Sequence, residues 1–170
     1  MAHDFLGSLG HLALGSRLKR AGTLLQSATQ AWLREAGCDV PAGHMPLLAA
    51  LESMEPASLG TLVESLGIAQ PGVSRMAGNL EAAGWITSAS EAGDKRVRLF
   101  VLTPEGRRLV AQAKEMWWPV IQEAAADLCA DLAGAFTDQL AGLEEKLSAG
   151  KFEEALGAKS QQRIRKHDPA

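Results

Sequence analysis

The chain has 170 residues with 17 Lys or Arg, 20 Asp or Glu, a formal net charge of -3 and no Tyr, a length that suits one compact domain with an oligomerisation extension. Hydrophobic residues make up 46% and charged residues 22%, enough apolar material for a core and too little charge for overall disorder. A membrane span is excluded because the longest apolar stretch, Met45 to Leu51, is far too short. An N-terminus without a charged or apolar leader segment, and only two cysteines (Cys38 and Cys129), point to a reducing cytoplasm rather than secretion.

Along the chain, Leu14, Leu18, Ala21, Leu25, Ala28 and Trp32 recur every three or four residues. They predict a long helix from about Leu9 to Glu35, stopped by Gly37 and Pro41. A short apolar helix over about Pro46 to Ser53 closes at Glu55-Pro56. Ser58 is placed to cap a helix over Leu59–Leu66, and Gly67 breaks it. A second helix follows from about Gln70 to Ala83, with Val73, Met76, Ala77 and Leu80 on one face and Gly84 as its stop. The period then changes: Trp85-Ile86-Thr87 and Arg96 to Leu102 read as strands about a turn at Glu91-Ala92-Gly93-Asp94. Thr103 caps a helix with Pro104 at its first position. That helix runs on through Leu109, Ala113, Met116, Val120, Ala124 and Leu128, with a bend expected at Pro119. A final helix from Thr137 carries Leu140, Leu143 and Leu147, and residues 158–170 lose all periodicity.

The fold class expected is therefore mainly α with a small β-hairpin wing: a winged helix-turn-helix with long N- and C-terminal helices. Residues 41–107 form the winged helix, 5–40 and 108–150 a helical dimerisation region, and 151–170 a mobile basic tail. The long helices carry wider apolar faces than one small chain needs to cover itself, which argues for a homodimer. A monomeric bundle is the alternative.

The charge follows this division. Residues 70–110 carry six basic groups against four acidic, residues 111–157 three against nine, and residues 158–170 four against one. The modest net charge hides a basic hairpin and recognition helix. In a helix-turn-helix the inner face of the second helix packs on the first and its outer face enters the major groove. Here the outer face is Gln70, Pro71, Ser74, Arg75 and Asn79. Arg can read guanine, Gln and Asn can read adenine, and Ser can hold a phosphate or base. Lys95, Arg96 and Arg98 on the hairpin suit an adjacent minor groove. Double-stranded DNA is the expected partner. A winged-helix module that binds protein instead is the rival reading, and the charged hairpin weighs against it.

The segments Leu62-Val63-Glu64-Ser65-Leu66-Gly67-Ile68-Ala69-Gln70-Pro71-Gly72-Val73-Ser74-Arg75, Leu80-Glu81-Ala82-Ala83-Gly84-Trp85-Ile86, Asp94-Lys95-Arg96 and Leu102-Thr103-Pro104-Glu105-Gly106 together resemble the MarR family of transcriptional regulators. The resemblance is dense over residues 58–108. It implies a homodimeric repressor or activator on a pseudo-palindromic operator, with the first and last helices at the dimer interface. It also implies that Arg96 is the wing arginine of the minor groove and that Asp94 steadies it. Ala69 and Gly72 stand where such sequences usually carry hydroxyls, which alters the expected phosphate anchoring.

The resemblance further implies release from DNA by a small, often aromatic, effector in a cleft between the first, second and fifth helices, with Trp32, His44, Met45 and Trp117 as candidate lining residues. The two tryptophans suit core or interface packing better, and His44 a loop or helix start. A thiol-based redox sensor is an alternative that the lack of Tyr and the position of Cys38, after the first helix, disfavour. His3, His11, His44 and His167 show no metal-ligand spacing. No phosphate loop or catalytic set is present, so neither a cofactor nor enzymatic activity is expected.

Overall fold

The computed structural model describes the backbone of residues 4–91 and 94–167, and side chains within residues 4–89 and 98–160. In chain order the elements are α1 (Phe5–Ser8), a 3₁₀ turn (Gly10–Ala13), α2 (Leu14–Glu35), a second 3₁₀ turn (Ala42–His44) and α3 (Met45–Met54). Then come β1 (Ala57–Ser58), α4 (Leu59–Leu66), α5 (Gln70–Ala82), β2 (Ile86–Glu91), β3 (Asp94–Leu102) and α6 (Pro104–Gln112). A π turn (Ala113–Trp117), α7 (Trp118–Cys129), α8 (Phe136–Ser148) and α9 (Lys151–His167) complete the chain. It divides into two compact units, Met1–Ile121 and Gln122–Ala170.

The first unit holds the core. Leu33, Leu47, Leu48, Leu51, Leu62, Val73, Leu80 and Ile86 are fully buried. They come from the end of α2 and from α3, α4, α5 and β2; those of α4 and α5 lie on the faces that the periodicity predicts, whereas Leu33 lies off the predicted α2 stripe. Leu, Val and Ile at such positions each contribute about 1.5–3 kcal/mol on burial. An antiparallel sheet of order β1-β3-β2 flanks this core. Its third strand, β1, was not expected. Ala57 pairs with Phe100 and Ser58 with Leu99, and a two-residue strand is too short to show a period.

Ser58 ends β1 and also caps α4, its hydroxyl accepting from the Thr61 N–H at 3.1 Å. Strand and helix are thus joined without a loop. At the other end of α4, Gly67 sits at φ +62°, a left-handed conformation that a side chain would strain, and so sets the turn between α4 and α5. The start of α6 is held similarly. The Thr103 hydroxyl accepts from Gly106 N–H at 3.0 Å and donates to Gly84 carbonyl at 2.7 Å. Gly106 is required there, because a Cβ would lie 1.9 Å from the Trp85 carbonyl oxygen. The Glu55 carboxylate braces the same corner, accepting from Leu102 N–H at 2.6 Å and from the Arg107 guanidinium.

Two further differences from expectation have plain causes. The long helix after Thr103 passes through a π turn before Pro119, so that α7 restarts at Trp118. Trp118 N–H donates to the Ala113 carbonyl across that turn, a locally widened helix next to a residue that has no N–H to give. Residues 158–167, expected to be an aperiodic tail, are helical as the second half of α9. Ala, Lys, Gln and Arg are strong helix formers, and propensity extends a helix past the point where an apolar period fails.

The two long regions expected to dimerise bury little within one chain. In α2 the apolar stripe Leu14, Leu18, Ala21, Leu25 and Ala28 remains exposed, while Leu33 enters the core and Trp32 packs against it. In the second unit α8 contacts α9, but no described side chain from residues 122–160 is buried. Leu128, Leu132, Phe136, Leu147, Phe152 and Leu156 are all exposed. Among the described residues no helix is long and apolar enough to cross a membrane.

Candidate nucleic-acid interface

α5 is anchored by Val73, Ala77 and Leu80, all buried, and leaves Gln70, Pro71, Ser74, Arg75 and Asn79 exposed. Its N-cap, Ala69, makes no side-chain hydrogen bond, and Pro71 lies in the first turn, where a preset φ favours the helix. The result is a polar face on a firmly held helix. One of its members is already engaged: the Asn79 amide lies 3.2 Å from His44 Nε2. An Asn NH₂ can donate there only to an unprotonated ring nitrogen, and burial holds the His44 pKa below its ordinary 6.5, which favours that form.

β2 and β3 form the wing, with Ser88 opposite Phe100, Ser90 opposite Arg98 and Glu91 opposite Asp94, the register shifting between Ser90 and Glu91. The Asp94, Lys95 and Arg96 side chains lie outside the described residues. Arg98, expected as a DNA contact, is turned to the protein. Its Nη2 donates to both Glu81 carboxylate oxygens, at 3.0 and 2.9 Å, and its Nε to Ser88 Oγ at 3.1 Å. The guanidinium also stands 5.3 Å from the Phe100 ring centroid. Ser88 Oγ donates to Glu81 at 2.7 Å. The Ser88 hydroxyl, with Arg98 beside it, holds the Glu81 carboxyl below its usual range. Sequence reasoning missed Glu81 because its partners come from two different strands, and no helical or cross-strand spacing announces such a triad.

A cleft of about 470 Å³ lies between α2 and the turn into α3, lined by Thr23, Gln26, Ser27, Gln30, Arg34 and Pro41–His44. No carboxylate lines it. Gln30 Oε1 accepts from Ala42 N–H at 2.7 Å and holds the turn in place. Of the four candidate effector residues, His44 lines this cleft. Met45 and Trp117 are buried in the core instead, and Trp32 is half-buried against it. Trp118 Nε1 donates to Met45 Sδ at 3.5 Å, whereas the Trp117 indole N–H has no partner among the described residues. Cys38 is buried, which pushes its thiol pKa up, and Cys129 is half-buried. Among the described residues no group of His, Cys, Asp or Glu could hold a metal ion.

Residues 39–97 match the model of the MarR family. No curated protein matches the chain by sequence. Solved structures do match by fold. One is the PcaV transcriptional regulator of Streptomyces coelicolor with its natural ligand, at 20% identity and TM-score 0.64 over 89% of this chain and 99% of that one. Another is a MarR mutant from E. coli complexed with operator DNA, at 20% identity and TM-score 0.62 over 86% and 98%. A third is Bordetella bronchiseptica BpsR, whose DNA binding is regulated by 6-hydroxynicotinic acid, at 24% identity and TM-score 0.61 over 79% and 98%. At such identities these likenesses establish the fold, and the family match falls on the helix-turn-helix and much of the wing. Over residues 39–97 the chain is similar to the MarR family, and its fold is that of the winged-helix regulators.

Proposed function

We propose that the chain is a homodimeric, sequence-specific DNA-binding repressor of the cytoplasm. In this reading α5 reads the major groove through Gln70, Ser74 and Arg75, with Pro71 and Asn79 beside them, and Lys95 and Arg96 reach the adjacent minor groove. The observation that carries the reading is the division of α5, whose apolar side is buried while its exposed side is polar and basic. A two-fold dimer would set two such helices about 10 bp apart on a pseudo-palindrome. The exposed apolar faces of α2 and of the second unit support association of two chains, since leaving them in water forgoes about 25 cal/mol per Å².

Selection from random duplexes followed by footprinting tests this. The expected result is an enriched pseudo-palindrome whose protection is lost with Arg75→Ala. Enrichment of no duplex would remove the DNA reading and leave the protein-binding one.

The α2 cleft supports a small-molecule effector. One arginine, one histidine and several neutral donors without a carboxylate suit a small anion, and BpsR, of the same fold, responds to an aromatic acid. His44 borders the cleft and also touches Asn79. A ligand drawing on His44 would therefore act on a recognition-helix residue, the differential contact that coupling requires. The buried Cys38, its thiol pKa raised by burial, speaks against redox sensing at that residue.

A further inference from the structure

Glu81 stands in the last turn of α5, where the negative end of the helix dipole disfavours a carboxylate. Its charge is nevertheless favoured, because it accepts from Ser88 of β2 and from Arg98 of β3. The Ser88 hydroxyl donates to Glu81 and accepts from Arg98 Nε, so acid, hydroxyl and guanidinium form a closed triangle. Its corners lie on three elements: the recognition helix and both strands of the wing. The Phe100 ring near the guanidinium adds a further restraint on where Arg98 can go. These same side chains, Glu81, Arg98 and Phe100, wall a groove of about 460 Å³ whose other side is the start of α4.

The pairing also limits what Arg98 can do for DNA. A guanidinium whose Nη2 is shared between both oxygens of a carboxylate, and whose Nε is held by a hydroxyl, has its donors engaged and part of its charge offset. To reach a phosphate it would bring the Glu81 carboxylate close to a second negative charge.

We infer that Arg98 is a positioning residue that locks the wing to the recognition helix through Glu81 and Ser88, fixing the separation of the major-groove and minor-groove contacts, and is not itself a DNA contact. The inference rests on the DNA-binding reading above. It makes opposite predictions from a direct contact. If Arg98 touched phosphate, removing Glu81 would free it and tighten binding, whereas a lock fails from either side.

The experiment measures affinity of the full-length protein for its selected duplex across a salt series, using Arg98→Ala, Arg98→Lys, Glu81→Ala and the exchanged pair Glu81→Arg with Arg98→Glu. Both alanine variants should weaken binding by about fivefold, the scale of a partly exposed ion pair, with salt slopes parallel to wild type. Arg98→Lys should recover part of the loss, and the exchanged pair more than either of its single changes. Arg98→Ala with a slope shallower by about one unit, or Glu81→Ala binding as tightly as wild type or tighter, would overturn the assignment. Hydrogen exchange of the free protein provides a readout that needs no DNA. Amides of β2 and β3 should exchange faster in both alanine variants while the melting temperature changes little, and unchanged exchange also overturns the lock. If wild type selects no duplex, the DNA reading fails on its own and exchange alone decides whether the lock exists.

Discussion

The winged helix and the helical arms carry the same kind of pattern, leucines recurring at three and four, yet the single chain treats them differently. In α4 and α5, Leu62, Val73 and Leu80 are fully buried. In α2 the stripe from Leu14 to Ala28 stays in water, and no described side chain from residues 122–160 is buried. An amphipathic period says that a face needs a partner. It does not say whether the partner lies in the same chain. The winged helix finds it locally, because α3, α4, α5 and the sheet close on one another within a few tens of residues. The arms leave theirs unfilled, which turns an oligomerisation question into a stability question.

The sharpest break of this contrast is to charge the arms. Leu25→Glu, present twice in a dimer, should cost about 4 kcal/mol of association: each copy forgoes the burial of a half-exposed leucine, about 1 kcal/mol, and brings a carboxylate to the interface at about 1 kcal/mol or more. Sedimentation equilibrium should show a dimer for wild type and a monomer for the variant, with the winged helix still folded. An unchanged oligomeric state would mean that the α2 stripe is not the interface.

Next in size, Leu80→Ala empties a buried site at the centre of the winged helix and should cost about 3 kcal/mol in urea unfolding. That loss should persist in a Leu25→Glu background, since the winged helix core is complete within one chain. A loss that vanishes in the monomer would show that the two regions are not energetically separate.

A smaller effect should have the opposite sign. Ala69 caps α5 with no side-chain acceptor, at φ -55° and ψ 139°, an extended conformation that serine also adopts. Ala69→Ser should raise stability by about 1 kcal/mol, read as a higher urea midpoint at constant slope. No gain would mean that the first turn of α5 already has its N–H groups satisfied.

The finest probe is pH. Burial lowers the His44 pKa from 6.5, so below that value the unfolded chain binds the proton more readily than the folded one. Stability should therefore be fully present above about pH 6.5 and fall as pH drops through the lower, folded-state value. His44→Asn should flatten this dependence. A wild-type urea midpoint constant across that window would contradict the burial of a neutral imidazole.

Much of the winged helix was legible locally. Ser58 and Thr103 act as caps because a hydroxyl before a helix has one geometry available, and Gly67 turns the chain because only glycine is at ease at its φ. The inner and outer faces of α5 follow from a helical repeat alone. Less legible were features whose partners lie far away in sequence. Glu55 bracing Leu102 and Arg107, and β1 pairing with β3, join residues more than forty positions apart. Trp117 and Met45, candidate lining for an effector, became core for the same reason: whether an aromatic or thioether face meets solvent depends on what the chain folds back against it.

The sequence by itself determined the order of helices and strands, the caps between them and the polar face presented by the recognition helix, since each rests on backbone and side-chain chemistry within a few residues. Only the tertiary structure decided that Arg98 faces Glu81 and Ser88, that His44 reaches Asn79, and that the arms' leucines remain uncovered. Those outcomes depend on how elements distant along the chain are brought together, and a periodicity carries no record of what lies opposite it.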